Sequence, residues 1–485
     1  MKKRRGSKVD QAYGSVTNEV IEALKEIVGE KNIIQKDQEK LAEYGHDIMA
    51  LLLGIETAAE VVVKPESTEQ VSKIMKLANE KVIPVTPRGA GTGLAAAVSA
   101  TYGGIVLSLE KMNRILEINK VDRVAIVEPG VITNELCRKV EEEGLMYVGY
   151  PMSTESSFIG GNVATNAGGA KVIRYGNTQR HILGLEVVLP DGQVIELGGS
   201  YRKSTWGYNL LQLMVGSEGT LGIFTKITIN LISNPGKTID LIVPFADNET
   251  AVNAVSKVIV EGGILPETVE FMDRTCLTES AKYHEVNIPF QDNEEVEAYL
   301  IIQVFGASQE ELETSYEKIG EICIENGALD VFIAESRKDS ENIWKVREEF
   351  GVALREIDPY TYFTSDVVVP FSKVPEMMKE LKKLEKKYKT GIPTVAHIAD
   401  GNLHSAIFKP ADVSVEEWPE KAESIFDEMI EISTRLGGVG SGEHGVGYAK
   451  KEIFTKLKPQ AELDLMRGIK KVFDPNNILN PGKVI

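Results

Sequence analysis

The chain is poor in cysteine. Cys137, Cys276 and Cys323 are the only three in 485 residues, and they lie far apart. No C-x-x-C spacing occurs, which excludes a cysteine-ligated iron–sulfur cluster and a structural zinc knuckle. A sparse, odd count suits a reducing compartment, so a cytoplasmic protein is expected. Basic charge is also in deficit. Lys plus Arg number 54 against 72 Asp plus Glu, a formal net charge of −18. That balance argues against nucleic acid or an anionic membrane surface as partner. It leaves an anionic small substrate open, because one arginine or a metal ion overrides the global field locally. Long apolar runs are missing as well: none approaches the roughly 18 residues of a membrane helix. Met1-Lys2-Lys3-Arg4-Arg5 is followed by Gly6–Gln11 and no apolar segment, so neither a membrane span nor export is expected. The basic tip is expected to be a disordered start. There is no internal repeat and no low-complexity segment.

The remainder reads as a globular protein, 42% hydrophobic and 26% charged. A chain of 485 residues is too long for one core, so two or more domains are expected. Residues 16–30 place Val20, Ile21, Leu24, Ile27 and Val28 on one helical face. Ser67 is an N-cap for a second helix through Ala78. Strands at 60–63 and 83–86 flank it and make a β-α-β unit.

Its second strand runs into Pro87-Arg88-Gly89-Ala90-Gly91-Thr92-Gly93-Leu94. Glycines at alternate positions let successive backbone N–H groups converge on an anion. A nicotinamide-type loop has its third glycine one position later and opens directly into a helix; here residues 95–102 carry no clean amphipathic pattern. The loop therefore reads as a diphosphate cradle outside the Rossmann class, with a purely structural glycine turn as the alternative. Two more glycine segments follow, at 160–169 and at 216–223. Three such loops in one α+β region suggest an elongated cofactor bound between two lobes.

Histidines are scarce, six in all, and three cluster in two glycine-rich turns. His397-Ile398-Ala399-Asp400-Gly401-Asn402-Leu403-His404 has turn chemistry in its middle and short strand patterns on either side. Folded as a hairpin, it brings two imidazoles side by side. Ser441-Gly442-Glu443-His444-Gly445 adds a carboxylate and a third imidazole. His397, His404 and Glu443 are a ligand set for a divalent ion with positions left open. Two ordinary surface histidines on a hairpin remain the alternative.

With these motifs in this order, the chain resembles the FAD-binding PCMH-type (vanillyl-alcohol-oxidase) flavoproteins over nearly its whole length. Residues 397–404, Glu443-His444 and the terminal 477–483 resemble the branch of D-lactate dehydrogenases, D-2-hydroxyglutarate dehydrogenases and the FAD subunit of glycolate oxidase. The fold implied is α+β: a two-lobed FAD-binding domain, an α+β cap with an antiparallel sheet, and a C-terminal helical segment returning to the FAD domain. Boundaries are expected at 1–55, 56–235, 236–435 and 436–485, with the break at Ser233-Asn234-Pro235-Gly236. The cap is expected to hold strands at 238–244, 267–272, 298–305, 329–335 and 361–369. Its helices are expected at 248–261, 308–326, 340–355, 372–388 and 415–436, and a last helix at about 459–472.

The resemblance assigns FAD contacts to Arg88, Gly89, Ala90, Gly91, Thr92 and Gly93. It adds Ser153, then Gly160, Gly161, Asn162, Ala164, Thr165, Gly168 and Gly169. Glu218, Gly222, Ile223 and Asn480 complete the set. No histidine lies between 87 and 94 and His181 is well beyond, so FAD is expected to be noncovalent. The implied chemistry is oxidation of a short 2-hydroxy acid, lactate (D-lactate foremost) or glycolate, to the 2-oxo acid. A divalent iron, zinc or manganese ion on His397, His404 and Glu443 assists deprotonation of the hydroxyl, and His444 is the base. The reverse assignment of Glu443 and His444 stays open. Arg347 holds the substrate carboxylate; a surface arginine paired with Glu348 or Glu349 is the alternative. Relatives acting on dicarboxylates carry a lysine shortly before the strand aspartate, whereas residues 362–366 here read Tyr-Phe-Thr-Ser-Asp. That favours a monocarboxylate over D-2-hydroxyglutarate. Electrons are expected to pass to electron-transfer-flavoprotein-type subunits or another redox protein. An electron-carrier subunit without its own turnover, and a non-redox relative resembling alkyl-dihydroxyacetone-phosphate synthase, are the other readings.

Overall fold

A computed structural model of the chain describes residues 12–334, 336–362 and 365–485. The basic tip at 1–5 and parts of the strands expected at 329–335 and 361–369 fall outside them. The chain divides into two compact units. One comprises Met1–Gly168, Asn177–Asn234 and Glu443–Ile485; the other comprises Gly169–Gly176 and Pro235–Gly442.

In the first unit, Thr17 caps the helix Asn18–Val28 by accepting from the Val20 N–H, and Val20, Leu24 and Val28 are its buried stripe. Ser67 caps Thr68–Lys81 by accepting from the Gln70 N–H. The strands on either side of this helix, Val61–Val63 and Val85–Arg88, do not pair with each other. Both pair in parallel with Ile105–Ser108, which lies between them. All four residues of Ile105–Ser108 are buried, the signature of a central strand covered on both faces. Val61, Val63, Ile74, Met75, Ile105 and Leu107 share one core there. A second sheet of five strands, antiparallel throughout, runs in the order Ile115–Asn119, Val124–Val127, Ile223–Asn230, Ile182–Val188, Val194–Gly198.

The second unit is built on one antiparallel sheet of seven strands. Their order is Phe332–Ile333, Lys237–Phe245, Ala298–Gly306, Thr268–Asp273, Thr394–His397, Asn402–Ser405, Val367–Val368. The helix expected at 340–355 is two helices, Arg337–Glu348 and Phe350–Ile357, with Glu349 (φ −101°, ψ 13°) at the joint. The first starts earlier than its apolar pattern does, because Ser336 and Asp339 form a capping box. Arg274–Tyr283 is a helix that periodicity did not reveal. It buries Cys276, Leu277, Ser280 and Ala281, and the small polar Ser280 breaks the apolar stripe. Lys451–Leu457 is likewise an additional helix, ahead of the last one at Gln460–Phe473.

Candidate active site

The cofactor loops converge within the first unit. No backbone carbonyl among the described residues accepts from the N–H groups of Gly91, Thr92 and Gly93, as an anion cradle requires. The segment 160–169, read from sequence as a glycine loop, opens with the helix Ile159–Thr165. Its two leading glycines differ in kind. A Cβ on Gly160 would lie 2.5 Å from Pro129 Cβ, so Gly160 is a packing glycine. A Cβ on Gly161 would meet nothing within 4 Å, and one on Gly89 would meet Gly161 at 3.6 Å. Gly89 and Gly161 thus keep bare backbone beside open space, the cradle that a flat or phosphorylated ligand needs.

Several residues assigned to FAD by resemblance are engaged with other protein groups. Arg88 Nη1 donates to the carbonyls of Tyr44 and His46, and Nη2 to that of Ala90, so its charge shapes the loop. Glu218, buried with φ 51°, accepts from the Val446 and Gly447 N–H groups at 2.8 and 2.7 Å. Burial pushes the Glu218 carboxyl up, against those two bonds and the charges of Lys450 and Lys483. Asn480 donates to the Glu218 and Ala97 carbonyls. Gly222 packs on Val187, where a Cβ would come within 2.4 Å of Cγ1. Ile223 is buried in its strand. Asn162 Nδ2 bonds Thr133 Oγ1 at 2.7 Å, Thr165 Oγ1 bonds the Gly161 carbonyl, and Ala164 accepts from the Glu218 N–H. The Ser153 carbonyl accepts from the Ser156 and Ser157 N–H groups. Gly168 ends a segment of the first unit, whereas Gly169 begins a segment of the second.

In the second unit the sheet register builds a polar cluster. Thr394–His397 and Asn402–Ser405 pair with His397 opposite Asn402 and Val395 opposite His404. The two histidines are thus diagonal neighbours on one face, their ring centroids 5.2 Å apart. The connection is a 3-10 turn at Ile398–Asp400 closed by Gly401, whose φ is 76° and where a Cβ would lie 2.1 Å from the Val369 carbonyl oxygen, so no side chain fits. On the other side Thr268–Asp273 places Glu270 opposite His397. His397 Nδ1 and Glu270 Oε1 are 2.7 Å apart. A carboxylate only accepts, so in the neutral ring Nδ1 carries the hydrogen and Nε2 the lone pair. The Ser365 carbonyl, 3.3 Å from His404 Nδ1, sets the same tautomer on His404. Arg347, 3% exposed, has Nη2 2.6 Å from Glu270 Oε2. Burial would raise the Glu270 carboxyl, but its neighbours His397 and then Arg347 prevail and hold it below the ordinary carboxylate range.

Asp366 is fully buried. It accepts from Asn402 Nδ2 at 3.0 Å and from Ser441 Oγ at 2.7 Å, and its carbonyl accepts from the Gly442 N–H. Glu443 follows Gly442 directly. Glu443 and His444 open the last segment of the first unit. Of the expected metal set, His397 and His404 lie side by side in the second unit, and Glu443 begins the last segment of the first. His397 is engaged by Glu270. His397 and His404, with the lone pair set on Nε2, and the Asp366 carboxylate fit a divalent ion in chemistry. Glu270 and Asp366 were missed in the sequence because each sits in or beside a strand of apolar residues. An acid inside such a run, as in Thr268-Val269-Glu270-Phe271-Met272, is the signal that finds them. Asn402, read only as a turn residue, orients Asp366.

The FAD binding domain family model matches residues 59–198, and that of the FAD linked oxidases, C-terminal domain, matches residues 236–484. A D-lactate dehydrogenase of Anaerostipes hadrus is 36% identical over 476 residues, covering 97% of this chain and 98% of its own length. Glycolate oxidase subunit GlcD of Bacillus subtilis (strain 168) is 35% identical over 469 residues, covering 97% of each. Among solved structures, p-cresol methylhydroxylase with substrate bound matches with a TM-score of 0.77 at 20% identity, over 96% of each chain. That likeness establishes the PCMH-type fold. The chain is thus a member of the FAD-linked oxidoreductases that act on 2-hydroxy acids.

Proposed function

We propose that the chain oxidises a short 2-hydroxy monocarboxylate, lactate (D-lactate foremost) or glycolate, to the 2-oxo acid. The observation that carries this reading is the pair of histidines whose Nδ1 atoms are bound from behind by Glu270 and the Ser365 carbonyl. Both rings then present Nε2 lone pairs, the arrangement expected of metal ligands. Arg347 binds the substrate carboxylate and sets which face of Cα is presented. His444 takes the hydroxyl proton, with Glu443 as a ligand. His404 and Glu443, with His397 or Asp366, would hold a divalent iron, zinc or manganese ion, which would supply positive charge that lowers the hydroxyl pKa. FAD, noncovalently held at Gly89–Gly93 and Gly161, supplies the acceptor for the hydride from Cα. Electrons then leave to a redox protein of the electron-transfer-flavoprotein type.

A dicarboxylate such as D-2-hydroxyglutarate needs a second cation. Lys373, the nearest lysine after the 362–366 segment, lies 2.9 Å from Glu376 with its side chain 46% exposed, so its charge is already matched at the surface. This supports the monocarboxylate. The test is anaerobic addition of D-lactate, L-lactate, glycolate and D-2-hydroxyglutarate to the FAD-loaded chain while the visible flavin band is followed. Bleaching by one short acid, slowed by prior chelation, is expected. Bleaching by none of them, or by D-2-hydroxyglutarate alone, rejects the proposal. His444→Ala should lower the bleaching rate by about 10²–10⁴-fold while FAD content is unchanged; loss of FAD would make His444 structural instead.

A further inference from the structure

We infer that Glu270 is a positioning residue serving two groups at once: it fixes the nitrogen that His397 presents, and it holds Arg347 partly neutralised until a substrate carboxylate arrives. The inference rests on the reading of this cluster proposed above. Glu270 is fully buried in the strand Thr268–Asp273, whose other core residues Val269, Phe271 and Met272 are apolar. A carboxylate taken out of water costs several kcal/mol unless it is paired and hydrogen-bonded. Here its two oxygens are divided. Oε1 accepts from His397 Nδ1, and Oε2 lies against Arg347 Nη2.

The pair with Arg347 is incomplete. Arg347 Nε and Nη2 are buried without a well-aligned hydrogen-bond acceptor, although Nη2 is 2.6 Å from the Glu270 oxygen. A guanidinium has five donors in a fixed fork and takes a carboxylate in bidentate fashion. An incoming substrate carboxylate therefore finds donors to satisfy, but on an arginine that already shares its charge. Binding of substrate and product carboxylates is weakened alike, and the 2-oxo acid is not trapped.

Both supports are held rigidly, as a positioning role requires. Asp273 Oδ2 accepts from the Thr394 N–H at 2.6 Å, and Met272 pairs with Val395, so the strands bearing Glu270 and His397 are locked in register. The helix Arg337–Glu348 that carries Arg347 is tied down by Trp344 Nε1 donating to Asp240 at 3.1 Å and by Ser280 Oγ donating to the Val346 carbonyl at 2.7 Å.

The test compares the full-length, FAD-loaded native chain with Glu270→Gln and Glu270→Asp. Three quantities are measured: the dissociation constant of pyruvate by titration calorimetry, the anaerobic flavin reduction rate with the best hydroxy acid, and the thermal transition. Glu270→Gln should bind pyruvate about tenfold more tightly, the equivalent of about 1.4 kcal/mol, while its reduction rate falls about ten- to a hundredfold. Glu270→Asp, which keeps the charge, should return pyruvate affinity to the native value. Opposite movement of affinity and rate is the signature, because a merely structural defect weakens both. Unchanged or weaker pyruvate binding by a folded Glu270→Gln overturns the inference. So does loss of a thermal transition in both variants, which makes Glu270 structural. A native chain that no hydroxy acid reduces, with Glu270→Gln still tightening pyruvate, overturns only the proposed function.

Discussion

At the scale of residues, burial decides which charges the chain tolerates and what each is spent on. Lys483 is buried and donates to the Ser99 carbonyl at 2.7 Å. Burial first, and then the charge of Lys451, lower its pKa to about 7, against the opposing pull of Asp47 and Glu218. The unfolded chain keeps that proton up to its ordinary lysine value of 10.5. Between pH 7 and about 10 the unfolded state therefore binds more protons than the folded one, and stability rises with pH by at most about 1.4 kcal/mol per unit. Below pH 7 both states are protonated and this dependence vanishes. Lys483→Met removes the titration. The difference in thermal midpoint, native minus variant, should grow in the native chain's favour from pH 7 to pH 10 and stay level from pH 5 to pH 6.5. A level difference across pH 7–10 would reject a depressed Lys483. Arg88 shows how far a local signal reaches at this scale. Its place beside the glycine loop is plain in the sequence, but only the fold turns its guanidinium onto the carbonyls of Tyr44, His46 and Ala90.

At the scale of elements, the helix Ile159–Thr165 separates two uses of glycine that look identical in Gly160-Gly161. Gly160→Ala drives a Cβ into Pro129 and should cost stability, of the order of 1–3 kcal/mol as for other overpacked sites. Gly161→Val meets no protein atom at its Cβ. It should leave the apoprotein's thermal midpoint within about 0.5 kcal/mol of native, apart from the weak helix preference of valine, yet lose most of the bound FAD. Measuring apoprotein melting and FAD stoichiometry for both variants checks this pair. Equal FAD retention in Gly161→Val would remove that glycine from the cradle. Elements with strong local signals, such as the capped helices Asn18–Val28 and Thr68–Lys81, were legible because capping and a 3.6-residue period are written within a few turns of chain. The break at Glu349 and the helix Arg274–Tyr283 were not, because packing against distant strands outweighs a weak local pattern.

At the scale of the whole molecule, each unit has its own buried core. Leu107, Ile74 and Met75 belong to the first, and Tyr299, Met272 and Val395 to the second. Unfolding is therefore expected to depart from a single two-state transition. Calorimetry of the apoprotein should resolve two transitions, and saturating FAD should raise one of them by mass action, about 2.7 kcal/mol at a hundredfold excess over its dissociation constant. One cooperative transition shifted as a whole would show that the two cores melt together.

The sequence alone determined the three glycine-rich segments, the paired-histidine turn, the major capped helices and the family, because each is a pattern of neighbours along the chain. The tertiary structure decided what those patterns are for. Glu270 reaches His397 across 127 residues of sequence. Asp366 gains Asn402 and Ser441 from two other segments. The strand Ile105–Ser108 inserts between two strands that sequence order makes neighbours. Strand register and burial couple residues that share no local signal, so a buried acid in an apolar strand becomes intelligible only once the strand opposite it is known.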